Sequence, residues 1–323
     1  MNSGRVYHIL VTGAGSIIGY GIIESLRIAG IPCLITGADI FEENYGRYIC
    51  DHFEVAPYTS SPGYYSWLAG VCEKYSIDLI FPGIEQDVYS YNENRNLLPA
   101  PAVLNNETIL NLSKDKYETF LFLKSIESLP VIPTLTGLNY PSASASLGLP
   151  FIIKPRKSSA SKGYYIIRNE EDYNERSREI NEDTLFQAYI GSLDEEYTYS
   201  VFGCGDGTVV DGMIMRRYLS KDGSTRLAYV IEQDDELQSF VSTLVKELKP
   251  LGPTNFQFRK QSGKAYLLEI NPRISSACSL RSKFGYNEPK YCIEHYLENG
   301  IYRPQSKKTG KAVRFISDKI IYE

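Results

Sequence analysis

Residues Asn255 to Arg273 read NFQFRKQSGKAYLLEINPR, and this stretch constrains the chain more than any other. Two alternating apolar-polar runs flank Gln261-Ser-Gly263, whose composition is that of a tight turn, so the segment predicts a β-hairpin. Pairing its strands brings Gln257 beside Glu269 and Asn271. Glu269 and Asn271 are two apart and share one face of the sheet, with Leu268 and Ile270 expected to face the core. Three oxygen donors on one face suit a hard divalent cation, which needs few protein carboxylates when its ligand brings negative charge. Asn271-Pro-Arg273 breaks the strand directly afterwards and sets a guanidinium where a planar anion can be held. A plain hairpin with a polar outer face shows the same alternation; the Asn-Pro-Arg ending separates the two readings.

The rest of the chain supplies a scaffold of matching size. At 323 residues it is long enough for two or three packed units. Tyr7 to Thr12 reads as a buried strand running into Gly13-Ala14-Gly15, and Ile17 to Ala29 as the helix that follows. Further strands are expected at Ile31 to Ala38, Phe53 to Ala56 and Leu79 to Pro82, with a helix at Tyr64 to Tyr75. That alternation predicts a parallel, doubly wound sheet over the first hundred or so residues. Asn105 to Leu112 and Asp115 to Ser125 look helical. From Phe151 onward the runs FIIKP, YYIIR, TLFQAYI, YTYSVFG, TVVDGMIMRR and AYLLEINPR predict antiparallel sheet, with helices at Glu170 to Ile180 and Asp234 to Leu248. VRFI and KIIYE near the end predict one or two last strands.

Composition excludes several classes. Hydrophobic content of 43% and charged content of 23% are those of an ordinary globular protein. A net charge of −5, without a basic tract, argues against nucleic acid as a partner. No run of about 18 apolar residues predicts a membrane span. The six cysteines form no CxxC pair, which points to a reducing, cytoplasmic setting rather than a disulfide or zinc framework. The 26 tyrosines are read as packing residues.

NFQF followed by LLEINPR resembles the metal-binding end of the ATP-grasp superfamily, and most closely the carbamoyl-phosphate synthase large-chain relatives. The resemblance covers most of the chain. It implies a fold of class α/β and α+β: a Rossmann-like preliminary (pre-ATP-grasp) domain over residues 1–105, then a two-lobed ATP-grasp domain over 106–300. The small lobe is expected at about 113–186 and the large lobe at about 187–300, with a tail over 301–323 packed on the body. The implied activity is that of a carboxylate-amine or carboxylate-thiol ligase using ATP and Mg2+ (or Mn2+). A small-molecule carboxylate and an amine are its implied partners, and a homodimer the default assembly.

Carried over position by position, the family's metal ligands fall on Gln257, Glu269 and Asn271. Its arginine that steadies the acylphosphate falls on Arg273. Lys154, ending FIIKP, takes the place of the cation that touches the α-phosphate and adenine, and Lys116 that of a second phosphate ligand. Independently of any family, an ammonium at the end of an apolar strand costs several kcal/mol to bury without an anion. Pro155 to Gly163 falls where the family has a glycine-rich flap; here Gly163 alone remains of the glycines, with Ser158 and Ser159 among the hydroxyl donors. Phe186-Gln187-Ala-Tyr189-Ile190 resembles the inter-lobe hinge that meets the adenine edge, Gln187 offering a carbonyl acceptor. Glu196 falls on the acidic residue that receives the ribose hydroxyls; Glu195 stays open, because the loop before it is one residue longer.

Other residues carry chemistry without a family assignment. Asp39, Glu85 and Asp87 follow predicted strand ends, where open α/β sheets place ligands, and are candidates for a substrate amine. One of Arg216 and Arg217 alternates toward the face of the metal ligands, where a cation could hold a substrate carboxylate. Gly13-Ala-Gly15-Ser-Ile-Ile-Gly19 also fits a loose dinucleotide fingerprint, which makes a NAD-dependent oxidoreductase the first competing function. A non-catalytic nucleotide-binding regulatory protein, and a subunit that hands acylphosphate to a partner, are the others.

Overall fold

The computed structural model describes residues 5–157, 163–192, 196–220, 225–315 and 317–322. The first unit alternates β1 (Tyr7–Thr12), α1 (Ile17–Ala29), β2 (Cys33–Asp39), β3 (His52–Val55), α2 (Tyr64–Tyr75), β4 (Leu79–Pro82) and α3 (Glu85–Glu93). Its strands pair in parallel in the order β3-β2-β1-β4. β1 is apolar on both sides because both faces of the sheet are covered: Ile9 and Val11 pack on the α1 side, Leu10 on the α2 side. Ser16 caps α1 by accepting from the Gly19 amide, and Gly30 ends it in the left-handed region. α3 has no counterpart in the sequence reading, since EQDVYSYNE buries little beyond Asp87, Val88 and Tyr91.

α4 (Glu107–Lys114) and α5 (Lys116–Lys124), capped by Asn106 and Asp115, lead into a second unit. Here β5 (Thr134–Thr136), α6 (Tyr140–Leu147), β6 (Phe151–Pro155), β7 (Tyr165–Ile167), α7 (Glu170–Arg176) and β8 (Thr184–Ala188) build an antiparallel sheet in the order β5-β8-β6-β7. Phe151, Ile153, Ile167 and Phe186 close its core against Ala143 of α6. The helix expected from Glu170 to Ile180 stops at Arg176 and continues only as a 3-10 turn to Glu179.

The third unit holds β9 (Glu196–Cys204), β10 (Val209–Leu219), β11 (Thr225–Ile231), α8 (Asp235–Leu248), β12 (Leu251–Gln261), β13 (Lys264–Asn271), α9 (Cys278–Lys283), α10 (Glu288–Tyr296) and β14 (Lys311–Val313). Its antiparallel sheet runs β13-β12-β9-β10-β11-β14. Leu237, Phe240 and Leu244 of α8 cover one face, against Val201, Phe256 and Phe258. Phe202, Met213 and Met215 on the other face share a core with α1, α9 and α10. α1 and α9 are stitched together at Ser25, whose hydroxyl lies 3.2 Å from the Cys278 thiol.

One last strand forms, β14, which takes in only Val313 of VRFI; residues 317–322 lie outside regular structure, with Ile320, Ile321 and Tyr322 exposed. Among the described residues no helix is long and apolar enough to cross a membrane. The expectation for Leu268 needs correction and belongs to the hairpin described next.

Candidate active site

β12 and β13 pair with Gln261 opposite Lys264, so Ser262 and Gly263 form a two-residue turn, both at positive φ (51° and 79°). Such primed turns match the twist of the strands they join. Gln257 then lies directly opposite Glu269, and Asn271 opposite Asn255. The register shifts between Gln257 and Phe258, so the chain bulges at Leu268. The bulge lets Leu267 and Ile270 both enter the core beneath α8. Leu268, expected in that core, instead packs near Ile132, Ala188 and Ile190 on the opposite side. A strictly alternating strand could not do this; the extra residue reverses the parity.

Glu269 and Gln257 are half-buried and Asn271 is buried, yet none makes a side-chain hydrogen bond or ion pair with a described residue. The Asn271 amide nitrogen is buried without a partner. Their neighbours, by contrast, are bonded to one another: Asn255 Oδ1 accepts from Arg281 at 2.7 Å and from Thr198, and Arg281 also reaches Ser275 and Glu288, although Asn255 Nδ2 and Arg281 Nε are themselves buried without a partner. The fold therefore leaves one carboxylate and two amides without internal duties at adjoining positions. Among the described residues no three His, Cys, Asp or Glu side chains converge. A divalent ion at this trio would use one carboxylate and two amide oxygens, and take its remaining oxygens from an anionic ligand, a donor set that suits magnesium.

Across from the hairpin, Lys116, Lys154, Thr134 and Gln187 line a narrow pocket with Leu267 and Leu268. Lys154 points inward from β6, is buried, and donates to Gln187 Oε1 at 2.8 Å. Burial pushes its ammonium down to about 8, with Lys116 and Arg259 adding repulsion and Glu269 opposing. Gln187 Nε2 donates in turn to Thr134 Oγ1 at 2.8 Å. The Gln187 carbonyl, expected to meet a base edge, is thus taken by Lys154 within the protein. Lys116 opens α5, and its amide bonds to the Arg156 carbonyl.

Glu196 is likewise engaged within the fold. It is 5% exposed and accepts from Arg217 Nη2 at 2.7 Å. β9 and β10 place the two directly opposite one another, so Arg217, not Arg216, shares the sheet face of Thr198, Gln257 and Glu269. Arg216 turns to the other face and bonds the Tyr218 hydroxyl. Arg259, two residues past Gln257, is buried on the same face, sits 5.6 Å from the Tyr189 ring centroid and reaches the Ile190 carbonyl at 3.5 Å. Sequence reading missed Arg259 and Thr134, although the alternation Asn255, Gln257, Arg259 was enough to put Arg259 on this face.

At the carboxyl ends of the parallel strands, Arg273 Nη2 donates to Glu85 Oε2 at 2.8 Å. Asp39 accepts from the Gly15 and Phe41 amides and Asp87 from Thr12 and Thr59, so both serve the fold. A Cβ on Gly19 would meet the Gly13 carbonyl oxygen at 2.2 Å, which accounts for that glycine by packing, with no cofactor required. Gly163 is described, at φ 72°, beside Pro155. Ser158, Ser159 and Glu195 lie outside the described residues.

Residues 155–318 match the family described as ATP-grasp in the biosynthetic pathway with Ter operon. A D-alanine–D-alanine ligase from Petrotoga mobilis is 35% identical over 86 residues, 26% of this chain and 28% of that protein. The carbamoyl phosphate synthase large chain of Methanosarcina mazei is 24% identical over 228 residues, 66% of this chain and 19% of that one. The chain thus spans under a third of the length of these curated relatives. Among solved structures, N5-carboxyaminoimidazole synthetase from Staphylococcus aureus complexed with ADP superposes at a TM-score of 0.72 with 18% identity, covering 94% of this chain and 80% of that one. At that identity the likeness establishes the fold: an amino-terminal α/β domain followed by the lobes of an ATP-grasp protein.

Proposed function

This chain belongs to the family described as ATP-grasp in the biosynthetic pathway with Ter operon, and from that premise we propose that it is an ATP-dependent ligase acting on a carboxylate. One observation carries the reading: Gln257, Glu269 and Asn271 make no side-chain hydrogen bond or ion pair with a described residue, and the buried Lys154 ammonium, which feels Glu269, donates its hydrogen bond to the neutral Gln187 amide. A metal-bound polyphosphate supplies what both sides lack, oxygens for the trio and negative charge for the lysine. When bound, magnesium neutralises charge on the phosphoryl oxygens and orients them.

The chain's own residues do the rest. Lys154 and Lys116 hold phosphate oxygens, with Leu268, Tyr189 and Ile190 bordering the base. An oxygen of the ionised substrate carboxylate attacks the γ-phosphorus, the bond to the β-phosphate bridge breaks, and ADP leaves. An amine nitrogen then attacks the acyl carbon, phosphate departs with the bonding electron pair, and the nitrogen gives up a proton. No protein nucleophile is required; positioning and charge suffice. Arg273 steadies the acylphosphate. The division into residues 1–105, 106–300 and 301–323 belongs to this proposal, as do a cytoplasmic setting and small-molecule partners.

The test is ADP release by the purified chain with Mg-ATP across carboxylates paired with amines. Acid-stimulated, magnesium-dependent ADP release supports the reading. Tight NADH binding without magnesium-dependent ATP binding replaces it by an oxidoreductase.

A further inference from the structure

Glu85 and Arg273 meet across the junction between the parallel sheet and the metal hairpin, with side chains 25% and 15% exposed. Glu85 is the first residue of α3, at the carboxyl end of β4, where open α/β sheets receive ligands. Arg273 follows Asn271 by two residues. Its Nη1 reaches the Ile274 carbonyl at 3.2 Å, and its Nε is buried without a partner. Tyr89, one turn along α3, feels both Glu85 and Glu269, and burial together with those charges pushes its hydroxyl up to about 12. The pair therefore belongs to the same electrostatic neighbourhood as the trio. Two other arginines of this region are committed deep in the fold, Arg217 to Glu196 and Arg281 to Glu288 and Asn255. The Arg273 pair, by contrast, is open to solvent at its edge.

We propose that Glu85 and Arg273 together recognise a zwitterionic acid, an amino acid whose carboxylate takes Arg273 and whose ammonium takes Glu85; the inference rests on the carboxylate-activating reading above. A carboxylate that takes Arg273 Nη2 displaces Glu85. A simple acid then leaves Glu85 half-buried and unpaired, which is costly. An amino acid exchanges one internal ion pair for two external ones, so no charge is stranded. Because Arg273 and Glu85 touch, the substrate's two charges must lie close together. That favours α-amino acids over acids whose amine sits at the end of a long chain.

The experiment uses the full chain with Mg-ATP and follows acid-stimulated ADP release for α-amino acids and their matched 2-hydroxy and N-acetyl analogues. Wild type is expected to prefer the amino acid by at least about 100-fold in kcat/KM, as sites built around a charged partner do. Glu85→Gln is expected to bring that ratio to within a few-fold, and Glu85→Asp to retain it. The ratio is measured within one preparation, so a partly folded variant does not distort it. Equal stimulation of wild type by both substrate classes, or an unchanged ratio in Glu85→Gln, overturns the zwitterion assignment alone. If no acid stimulates ADP release by wild type, the carboxylate reading fails and takes this inference with it.

Discussion

Lys154 Nζ donates to Gln187 Oε1 at 2.8 Å, so a buried ammonium is held by a neutral amide rather than a carboxylate. The arrangement leaves the charge undercompensated, and burial lowers the lysine to about 8.

Nucleotide binding is therefore expected to depend on pH in a defined direction. A bound polyphosphate raises the Lys154 pKa above its free value, so binding takes up a proton. Affinity is full below about pH 8 and falls as pH rises from there toward the bound-state pKa, by up to about tenfold per unit. Calorimetric titration of ADP at several pH values, in buffers of different ionisation enthalpy, checks this. A flat affinity with no proton uptake contradicts it, and Lys154→Arg is expected to flatten the step.

Glu269→Ala is expected to abolish magnesium-dependent ADP release, by about 1,000-fold or more if the carboxylate anchors the ion. The thermal midpoint should hold, since Glu269 makes no hydrogen bond with a described residue. Unchanged ATP consumption in this variant rejects the metal assignment.

Glu196 and Arg217 behave differently, because they are buried partners. Removing either one is expected to cost about 3–5 kcal/mol, and replacing both by apolar residues less than either single change. Urea unfolding of Glu196→Ala, Arg217→Met and the double variant measures this. If Glu196→Ala weakens only nucleotide binding and leaves the unfolding midpoint alone, Glu196 is a ribose ligand and its pairing with Arg217 is incidental.

Gly19→Ala is expected to destabilise the amino-terminal sheet by about 2 kcal/mol or more, because its Cβ would sit 2.2 Å from a backbone oxygen. NADH should not bind the wild type, nor stabilise the variant. A variant as stable as wild type contradicts the packing account.

The hairpin was legible because its information is local: period-two alternation, a Ser-Gly turn and a strand-breaking Asn-Pro-Arg need no distant partner to be read. β1, α2 and β4 were legible for the same reason. α3, α6, α9 and α10 were not, since each is held by neighbours remote in sequence more than by its own periodicity. The bulge that turns Leu268 away from the α8 core is likewise invisible to a strict alternation rule.

The engagement of individual polar groups was the least legible. That Gln187 is held by Lys154 and Thr134, Glu196 by Arg217, and Glu85 by Arg273 depends on pairs 21 to 188 residues apart. The sequence by itself determined which residue types the site contains and that Gln257, Glu269 and Asn271 share one strand face, because pleat and turn geometry act over a few residues. Tertiary structure alone decided which of them are left without internal partners, since hydrogen-bond satisfaction in a folded chain depends on which distant segments packing brings together.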